Sequence, residues 1–237
     1  MKDSTNEREA LECTLADVKV VMMPERAMFY PDEQALIVAD LHWGKAASMR
    51  ANFVPVPTGT TAADLSRLSL ALEYTGAKRL IVLGDLLHAK NGRQEGTLQT
   101  IAAWRKKNTD LDIVLVRGNH DTHAGDPPAE LGIHCQDAPF DLGAFTCVHD
   151  PIDDFADGTF ILGGHLHPSV SLTGKGRERV RLPCFVCSES VAVLPAFSSF
   201  TGTGMYEYVN GDRLYAIVEN AVVPVAAKPL PRDRGND

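Results

Sequence analysis

Long apolar runs are missing from this sequence of 237 residues. No apolar stretch approaches the roughly 18 residues that a membrane span needs, so we expect no contact with membranes. The segment that opens the chain is polar and charged and has no apolar core, which argues against a secretory signal. These absences favour a protein of the cytoplasm.

The sequence also lacks the even number of regularly spaced cysteines that a set of disulfides would need. The five cysteines are odd in number and scattered, which does not indicate a disulfide framework. Cys184 and Cys187 form a C-x-x-C pair, but a structural zinc site needs a second pair and the sequence has none. Because the surrounding segment has the composition of a strand, we interpret both as buried core residues, with a redox pair as the alternative.

Internal repeats and low-complexity segments are absent, so we expect one domain over residues 13–226. We interpret residues 1–12 as a flexible N-terminus and the Pro-rich, charged residues 227–237 as a disordered tail. In the first half of the domain, apolar strand-like runs alternate with two helical patterns, whereas the second half is almost entirely strand-like. This pattern predicts an α/β fold in which two sheets pack face to face with helices outside.

Five of the apolar runs end in Asp, Asn or His. The endings are, in chain order, Asp40-Leu41-His42, Gly84-Asp85, Gly118-Asn119-His120-Asp121, His149-Asp150 and Gly163-Gly164-His165-Leu166-His167. In α/β sheets the carboxyl ends of strands are where ligands gather. Residues i and i+2 of an extended segment point the same way, so each Asp-x-His or His-x-His pair is expected to present two ligands in one direction. The glycines allow sharp turns and close approach.

The residue types at these endings point to a metal site. Carboxylate, imidazole and amide ligands without cysteine suit Mn²⁺, Fe, Zn²⁺ or Ni²⁺. An ending of this kind taken alone is more typical of a turn or a polar loop. The five together, each after an apolar strand, predict metal-dependent chemistry.

The set D-x-H, G-D, G-N-H-D, a single His and G-H-x-H resembles the calcineurin-like metallophosphoesterase family. The resemblance implies a four-layer αββα sandwich of two mixed sheets flanked by helices, with a two-metal centre. One metal would be held by Asp40, His42, Asp85 and His167. The other would be held by Asp85, Asn119, His149 and His165. Asp85 would therefore bridge the two ions, of which Mn²⁺ is the expected species.

Three residues next to these ligands in the sequence are also expected to act at the site. His120 resembles the family's non-ligand histidine, so we expect it to protonate the leaving oxygen or to stabilise charge on the phosphoryl group. Asp121 has two possible roles, orientation of His120 or a turn hydrogen bond. His88 stands where many members carry an acid or asparagine, and we expect it to support the ligands, with direct metal contact as the alternative.

Four further stretches resemble a subgroup, the bacterial ligase-associated DNA damage response endonucleases. These stretches are "VADLHWGK", "VPVPTGTTAADLSRL", "GHLHPSVSLTGKGRERVRLPCFV" and "LPAFSSFTG". The resemblance implies a Mn²⁺-dependent phosphodiesterase that acts on DNA and accompanies a DNA ligase, a helicase and a nuclease. Trp43 departs from the expected aliphatic residue; packing beside the site is the favoured interpretation, and stacking on a base is the alternative.

The formal net charge of −8 argues weakly against a protein that coats nucleic acid. Two divalent ions would add +4 and bring it to −4. Four basic residues alternate just after the last predicted ligand and would share one face of a strand: Lys175, Arg177, Arg179 and Arg181. They are candidate phosphate contacts or, alternatively, charges that protect an edge strand. Lys45 and Arg50 are further candidates for substrate phosphates.

Three functions remain open at this point. The first is a two-metal phosphodiesterase or endonuclease acting on DNA. The second is the same chemistry on cyclic nucleotides or other small phosphodiesters. The third is a non-catalytic scaffold in a repair complex, which the filled ligand positions argue against.

Overall fold

The computed structural model describes residues 8–152, 158–173, 179–204 and 208–226. Within these ranges the chain forms two β-sheets and four α-helices. The helices are α1 (Lys45–Ala51), α2 (Thr60–Thr75), α3 (Glu95–Lys107) and α4 (Asn119–Ala124). Short 3-10 turns lie at Pro31–Glu33, Lys90–Gly92 and Ala129–Leu131. In the described ranges, no helix is both long and apolar enough to cross a membrane.

The first sheet has seven strands that neighbour one another in chain order. They are β1 (Leu11–Leu15), β2 (Val18–Met23), β3 (Ala27–Tyr30), β4 (Ala35–Ala39), β5 (Arg79–Leu83), β6 (Asp112–Val116) and β7 (Ile133–Gln136). Strands β1 to β4 pair antiparallel, and β4 to β7 pair parallel. All five residues of β4 are buried, as expected for a central strand covered on both faces.

The second sheet has eight strands in the order β15-β14-β12-β13-β10-β9-β8, with β11 paired to β12. They are β8 (Phe140–Leu142), β9 (Phe145–Cys147), β10 (Ile161–Gly163), β11 (Ser169–Thr173), β12 (Arg179–Cys187), β13 (Val191–Val193), β14 (Arg213–Val218) and β15 (Ala221–Val225). Strand β10 is parallel to both β9 and β13, and the remaining pairs are antiparallel. Both sheets are therefore mixed.

The main core lies between the two sheets, where Ile37 and Ile81 of the first pack in one cluster with Phe145, Leu162 and Phe185 of the second. A second core joins the other face of the first sheet to α2 and α3. A smaller cluster covers the other face of the second sheet. The predicted α/β fold, with two mixed sheets and flanking helices, is confirmed. In the described ranges all four α-helices lie before residue 125.

Helix α2 follows its sequence pattern closely. Leu65, Leu68 and Leu72 recur at helical spacing and are all buried. The helix ends at Gly76, whose φ of +63° is left-handed and whose N–H donates to the Leu72 carbonyl. Glycine reaches this conformation without steric cost, so it stops the helix here.

The C-x-x-C cysteines lie inside the protein. Cys184 and Cys187 are fully buried in different clusters of the core and form no disulfide, which confirms the core interpretation. Strand β1 begins at Leu11, so the boundary expected at residue 13 falls inside this strand. The predicted tail at 227–237 lies outside the described residues.

Candidate metal centre

The predicted ligands meet where strands of both sheets end. Asp40 directly follows β4, and Asp85 and Asn119 follow β5 and β6 in the same parallel set. His149 and His165 follow β9 and β10, the parallel pair of the second sheet. Carboxyl ends of parallel strands share one edge of a sheet. The two edges therefore deliver ligands to one place.

A first cluster contains Asp40, His42 and His167. One ligand atom from each lies within 4.8 Å of the others, and Asp40 Oδ1 is 3.3 Å from His167 Nε2. Among the described residues, Asp40 Oδ1 and His42 Nε2 are buried polar atoms without a hydrogen-bond partner. Leaving such atoms unpaired costs free energy, so this donor set fits a bound cation.

A second cluster contains Asp85, His149 and His165, again with ligand atoms within 4.8 Å of one another. His149 Nε2 lies 3.4 Å from Asp85 Oδ1 and 2.9 Å from Asn119 Oδ1. The other nitrogen, His149 Nδ1, lies 3.0 Å from the Leu83 carbonyl oxygen and donates to it. That bond leaves the Nε2 lone pair for the cluster, because a carbonyl can only accept.

Asp85 connects the two clusters. Its Oδ1 faces His149, while its Oδ2 lies 3.6 Å from His42 Nε2 of the first cluster. The residue is 1% exposed. Burial raises the pKa of this carboxyl, the charge on Asp40 raises it further, and His149 opposes the rise. A cation on either side would relieve the cost of the buried charge.

Five of the predicted ligands have a left-handed backbone: Asp40, His42, Asp85, His165 and His167 have φ between 44° and 63°. Residues other than glycine adopt this conformation at a cost on the order of 1 kcal/mol each, and such strain concentrates at functional sites. Extended alternation was therefore the wrong reason for the paired ligands, since tight turns and not a strand present them. His165 and His167 also enter different clusters instead of pointing in one direction.

Two glycines allow these turns to pack closely. A Cβ on Gly84, whose φ is +75°, would lie 2.1 Å from His149 Nδ1. A Cβ on Gly118 would lie 2.4 Å from Asp85 Oδ1. The expected close approach at these glycines is confirmed.

The comparisons with known proteins agree with this geometry. A family model described as calcineurin-like phosphoesterase matches residues 34–179, a range that includes every predicted metal ligand. The chain belongs to this family. It is therefore a metal-dependent phosphoesterase. Its clusters supply carboxylate and imidazole donors, and the Asn119 amide oxygen lies 2.9 Å from His149 Nε2; divalent metals take all three donor types.

Solved structures extend the likeness to most of the chain. A Pseudomonas putida nuclease MPE is 38% identical, with a TM-score of 0.79 over 92% of this chain and 100% of that one. The E. coli phosphoesterase Yfce is 16% identical, with a TM-score of 0.38 over 81% of this chain and 98% of its own. No match was found among curated proteins.

His120 of this phosphoesterase lies at the rim of the clusters. Its backbone N–H donates to Asp85 Oδ1 over 3.0 Å, and its ring Nδ1 donates to the His88 carbonyl over 2.8 Å. The free Nε2 lies 3.9 Å from Asp85 Oδ2, and the side chain is 38% exposed. The imidazole therefore stands beside both clusters, next to Asp85 and His42, and its side chain is partly exposed.

Asp121 makes turn hydrogen bonds. Its carboxylate accepts backbone N–H groups from Asp85, Leu86 and Gly118 at 2.7, 3.1 and 2.9 Å. Among the described residues no ion pair joins it to His120, whose orienting contact is the His88 carbonyl instead. Of the two roles considered, these contacts match the turn bond, which shapes the Asp85 loop. Burial is the main cause that raises the pKa of Asp121, and these backbone bonds oppose the rise.

His88 touches the site by its ring and by its carbonyl. Its Nδ1 is 3.5 Å from His42 Nδ1, and its ring stacks on His120 with centroids 5.1 Å apart. His42, His88 and His120 form a third group whose ligand atoms lie within 4.8 Å. Burial, followed by the charges of Lys45 and His120, lowers the pKa of His88 to about 4. The ring therefore stays neutral near neutral pH.

The predicted substrate-binding residues do not all lie at the metal site. Lys45 lies in the site: burial lowers the pKa of its ammonium, while the charges of Asp85 and Asp40 oppose the fall. Arg50 instead donates to the Pro57 carbonyl, away from the clusters. Arg179 and Arg181 are exposed on β12. Lys175 and Arg177 lie outside the described residues.

Trp43 packs in the core and does not offer a stacking surface. It is 2% exposed, and its ring meets Trp104 edge-on with centroids 6.3 Å apart. The packing interpretation is confirmed, and base stacking by this residue is excluded.

Proposed function

We propose that this phosphoesterase holds two divalent metals and hydrolyses phosphodiester bonds of DNA, as an endonuclease of a ligase-associated repair pathway in the cytoplasm. The observation that carries the two-metal proposal is Asp85, whose two carboxylate oxygens face the two separate clusters. A shared carboxylate sets a short distance between two ions. Mn²⁺ suits these oxygen and imidazole donors, with Fe, Zn²⁺ and Ni²⁺ as the alternatives.

The chain's own residues would divide the work. When bound, the two ions would supply Lewis acidity and an activated water for attack on phosphorus. Asp40, His42 and His167 would hold one ion, Asn119, His149 and His165 the other, and Asp85 both. The Lys45 ammonium, whose pKa is affected by the charges of Asp85 and Asp40, would contact a phosphoryl oxygen.

His120 is the proposed catalytic acid. Because its Nδ1–H is committed to the His88 carbonyl, Nε2 is the atom left for substrate. Protonated at Nε2, the ring would donate to the leaving oxygen or stabilise charge on the phosphoryl group. Asp121 would act on this step only through the shape of the Asp85 loop.

DNA is the proposed substrate for two reasons. The 38% identical Pseudomonas putida protein is a nuclease, and that likeness covers 92% of this chain. In addition, Arg179 and Arg181 are exposed on the strand that pairs with β11, the first strand after the ligand His167. The proposed association with a DNA ligase, a helicase and a nuclease rests on the subgroup motifs. The five unpaired cysteines support a reducing compartment.

A small phosphodiester is the second candidate substrate, favoured by the acidic net charge of −8. The test is Mn²⁺-dependent nicking of supercoiled plasmid, with an aryl phosphodiester assayed in parallel. Wild type is compared with His120→Ala and with the control His134→Ala, whose side chain is 73% exposed on β7. We expect His120→Ala to keep its Mn²⁺ but lose turnover by about 100-fold or more, and His134→Ala to match wild type.

The outcomes separate the alternatives. Nicking by wild type and by His134→Ala alone supports a DNA endonuclease that uses this site. Diester turnover without nicking contradicts the DNA proposal and favours a small phosphodiester. Absence of both activities from Mn²⁺-loaded protein contradicts the catalytic proposal and favours the scaffold.

A further inference from the structure

Residues 196–204, here called the 196–204 loop, contain most of the "LPAFSSFTG" motif, which the site described above does not use. The loop begins beside the ligand Asp40. Ala196 forms a parallel bridge with Ala39. The Phe197 N–H donates to the Ala39 carbonyl over 2.7 Å, and the Ser198 N–H donates to the Asp40 carbonyl over 3.3 Å. The loop therefore starts in register with the end of β4.

The loop ends against another predicted ligand, His167. The Gly202 carbonyl accepts the His167 Nδ1–H over 3.0 Å. The Gly204 N–H donates back to the His167 carbonyl over 2.8 Å. Since a carbonyl only accepts, this contact fixes the proton on Nδ1 and leaves Nε2, 3.3 Å from Asp40 Oδ1, free for a metal. Thr201 Oγ1 also accepts from Lys45 Nζ over 3.2 Å.

A buried carboxylate on α2 holds the middle of the loop. Asp64 is 2% exposed and belongs to the other unused motif, "VPVPTGTTAADLSRL". It accepts the Ser198 hydroxyl over 2.9 Å, and the Ser199 N–H and hydroxyl over 3.3 and 3.2 Å. Arg67, one turn along the helix, donates to the same carboxylate over 2.8 Å.

Two arginines complete the anchor. Arg67 also donates to the Phe197 carbonyl, and its guanidinium lies 4.4 Å from the centroid of the Phe197 ring. Arg26 donates to the Ser198 carbonyl over 2.8 Å. Burying charges is costly unless their geometry is well satisfied. This network therefore holds Phe197, Ser198 and Ser199 of the loop in a defined position.

We propose that Asp64 is a positioning residue for the metal centre. By fixing Ser198 and Ser199, it places the Gly202 carbonyl so that His167 keeps its Nδ1–H tautomer and presents Nε2 to the first cluster. The same anchor sets Thr201 against Lys45. The inference rests on the proposed metal site, and it explains why the two subgroup motifs, distant in sequence, meet in the fold.

The test compares Asp64→Ala, Asp64→Asn and the control Glu73→Gln, an exposed acid on the same helix. Two readouts are measured: the ¹⁵N NMR signature of the His167 tautomer in metal-free protein, assigned with His167→Asn, and Mn²⁺ affinity by calorimetry. We expect Asp64→Ala to lose the fixed Nδ1–H tautomer and to weaken Mn²⁺ binding by about tenfold or more. Asp64→Asn should restore most of both, because its amide oxygen can still accept from Ser199 and Arg67 while its NH2 donates to the Ser198 hydroxyl oxygen. Glu73→Gln should change neither.

An unchanged His167 tautomer in folded Asp64→Ala would overturn the proposal, and so would an equal change in Glu73→Gln. Ser198→Ala removes one of the bonds to Asp64 and provides a milder variant with the same two readouts, should Asp64→Ala not fold. Wild type that binds no metal, but whose His167 tautomer still depends on Asp64, would contradict the proposed metal function and leave the positioning role intact.

Discussion

At the scale of single residues, unfavourable free energy is concentrated at the predicted ligands, as backbone strain and as buried polar atoms without partners. Left-handed backbone occurs at five of them, and two of their buried polar atoms have no hydrogen-bond partner among the described residues. Such strain and unpaired polarity reduce stability unless something bound to the site offsets them. The metal-free protein is therefore expected to gain stability when its metals bind.

Metal affinity should fall as pH falls. Burial raises the pKa of Asp85. For His167, burial lowers the pKa, but the negative charge of the neighbouring Asp40 and the Gly202 carbonyl outweigh it, so the pKa is raised. Both groups must be deprotonated to bind a cation, so protons compete once the pH drops through the raised pKa of His167. We expect Mn²⁺ affinity, measured by calorimetry, to decrease between about pH 8 and about pH 6, with protons released on binding.

His42, another predicted ligand, should not contribute to this pH dependence. Burial, followed by the charge of Lys45, lowers its pKa to about 2, so it is neutral throughout this range and releases no proton. An affinity that is constant over this pH range would contradict the proposed role of His167 and Asp85 as ligands.

The sequence was most informative for these residues and least informative for their surroundings. The strand-end motifs placed Asp40, His42 and Asp85 at one site, because parallel strands end at one edge. The contacts of Asp121 depend on backbone amides of a loop some 35 residues earlier, which no local pattern reveals. The dependence of His167 on Gly202 was equally hidden, although the motif around Gly202 was noticed.

At the scale of elements, the strongly periodic segments and several short strands were predicted, and two short helices were missed. The apolar runs that became β4, β5 and β6 and the helical patterns of α2 and α3 are confirmed. The short helices α1 and α4, of 7 and 6 residues, were not predicted. Isolated helices of this length are marginal, so tertiary contacts and not local propensity form them.

The turn after β5 should tolerate no side chain at Gly84. Gly84→Ala would place a Cβ 2.1 Å from His149 Nδ1 at a φ of +75°. We expect a loss of about 2 kcal/mol or more in the free energy of unfolding of the metal-free protein, together with loss of Mn²⁺ binding. Urea unfolding and calorimetry measure the two effects.

Gly96→Ala is the matched control. Gly96 lies in α3, and a Cβ there meets nothing within 4 Å. Alanine at this helical position should gain up to about 1 kcal/mol and leave Mn²⁺ binding unchanged. Equal tolerance of alanine at Gly84 and Gly96 would contradict the close packing of the Asp85 turn against His149.

At the scale of the whole molecule, the negative net charge must be reconciled with a negatively charged substrate, DNA. The net charge is −8, and two divalent ions would add +4 to give −4. An acidic protein can still bind DNA where local positive charge is concentrated, because phosphate contacts are local and salt-dependent. Arg179 and Arg181 are candidates for such contacts.

Neutralising these arginines should reduce the cleavage of DNA more than the turnover of small substrates. For the double variant Arg179→Gln/Arg181→Gln we expect about tenfold weaker plasmid nicking, a shallower salt dependence and unchanged aryl diester turnover. Lys106→Gln/Lys107→Gln, at the exposed end of α3, removes the same charge elsewhere and should behave like wild type. Equal loss on both substrates, or equal loss in both double variants, would argue against a DNA-specific surface.

A two-metal centre bridged by Asp85 would be seen most directly in the Mn²⁺ stoichiometry of purified, metal-loaded protein. Wild type and Asp85→Ala are compared by elemental analysis, with electron paramagnetic resonance to detect coupling between neighbouring ions. We expect two coupled Mn²⁺ per wild-type chain, and loss of both metal binding and turnover in Asp85→Ala. A single uncoupled ion in wild type, or turnover retained by metal-stripped protein, would contradict this two-metal centre.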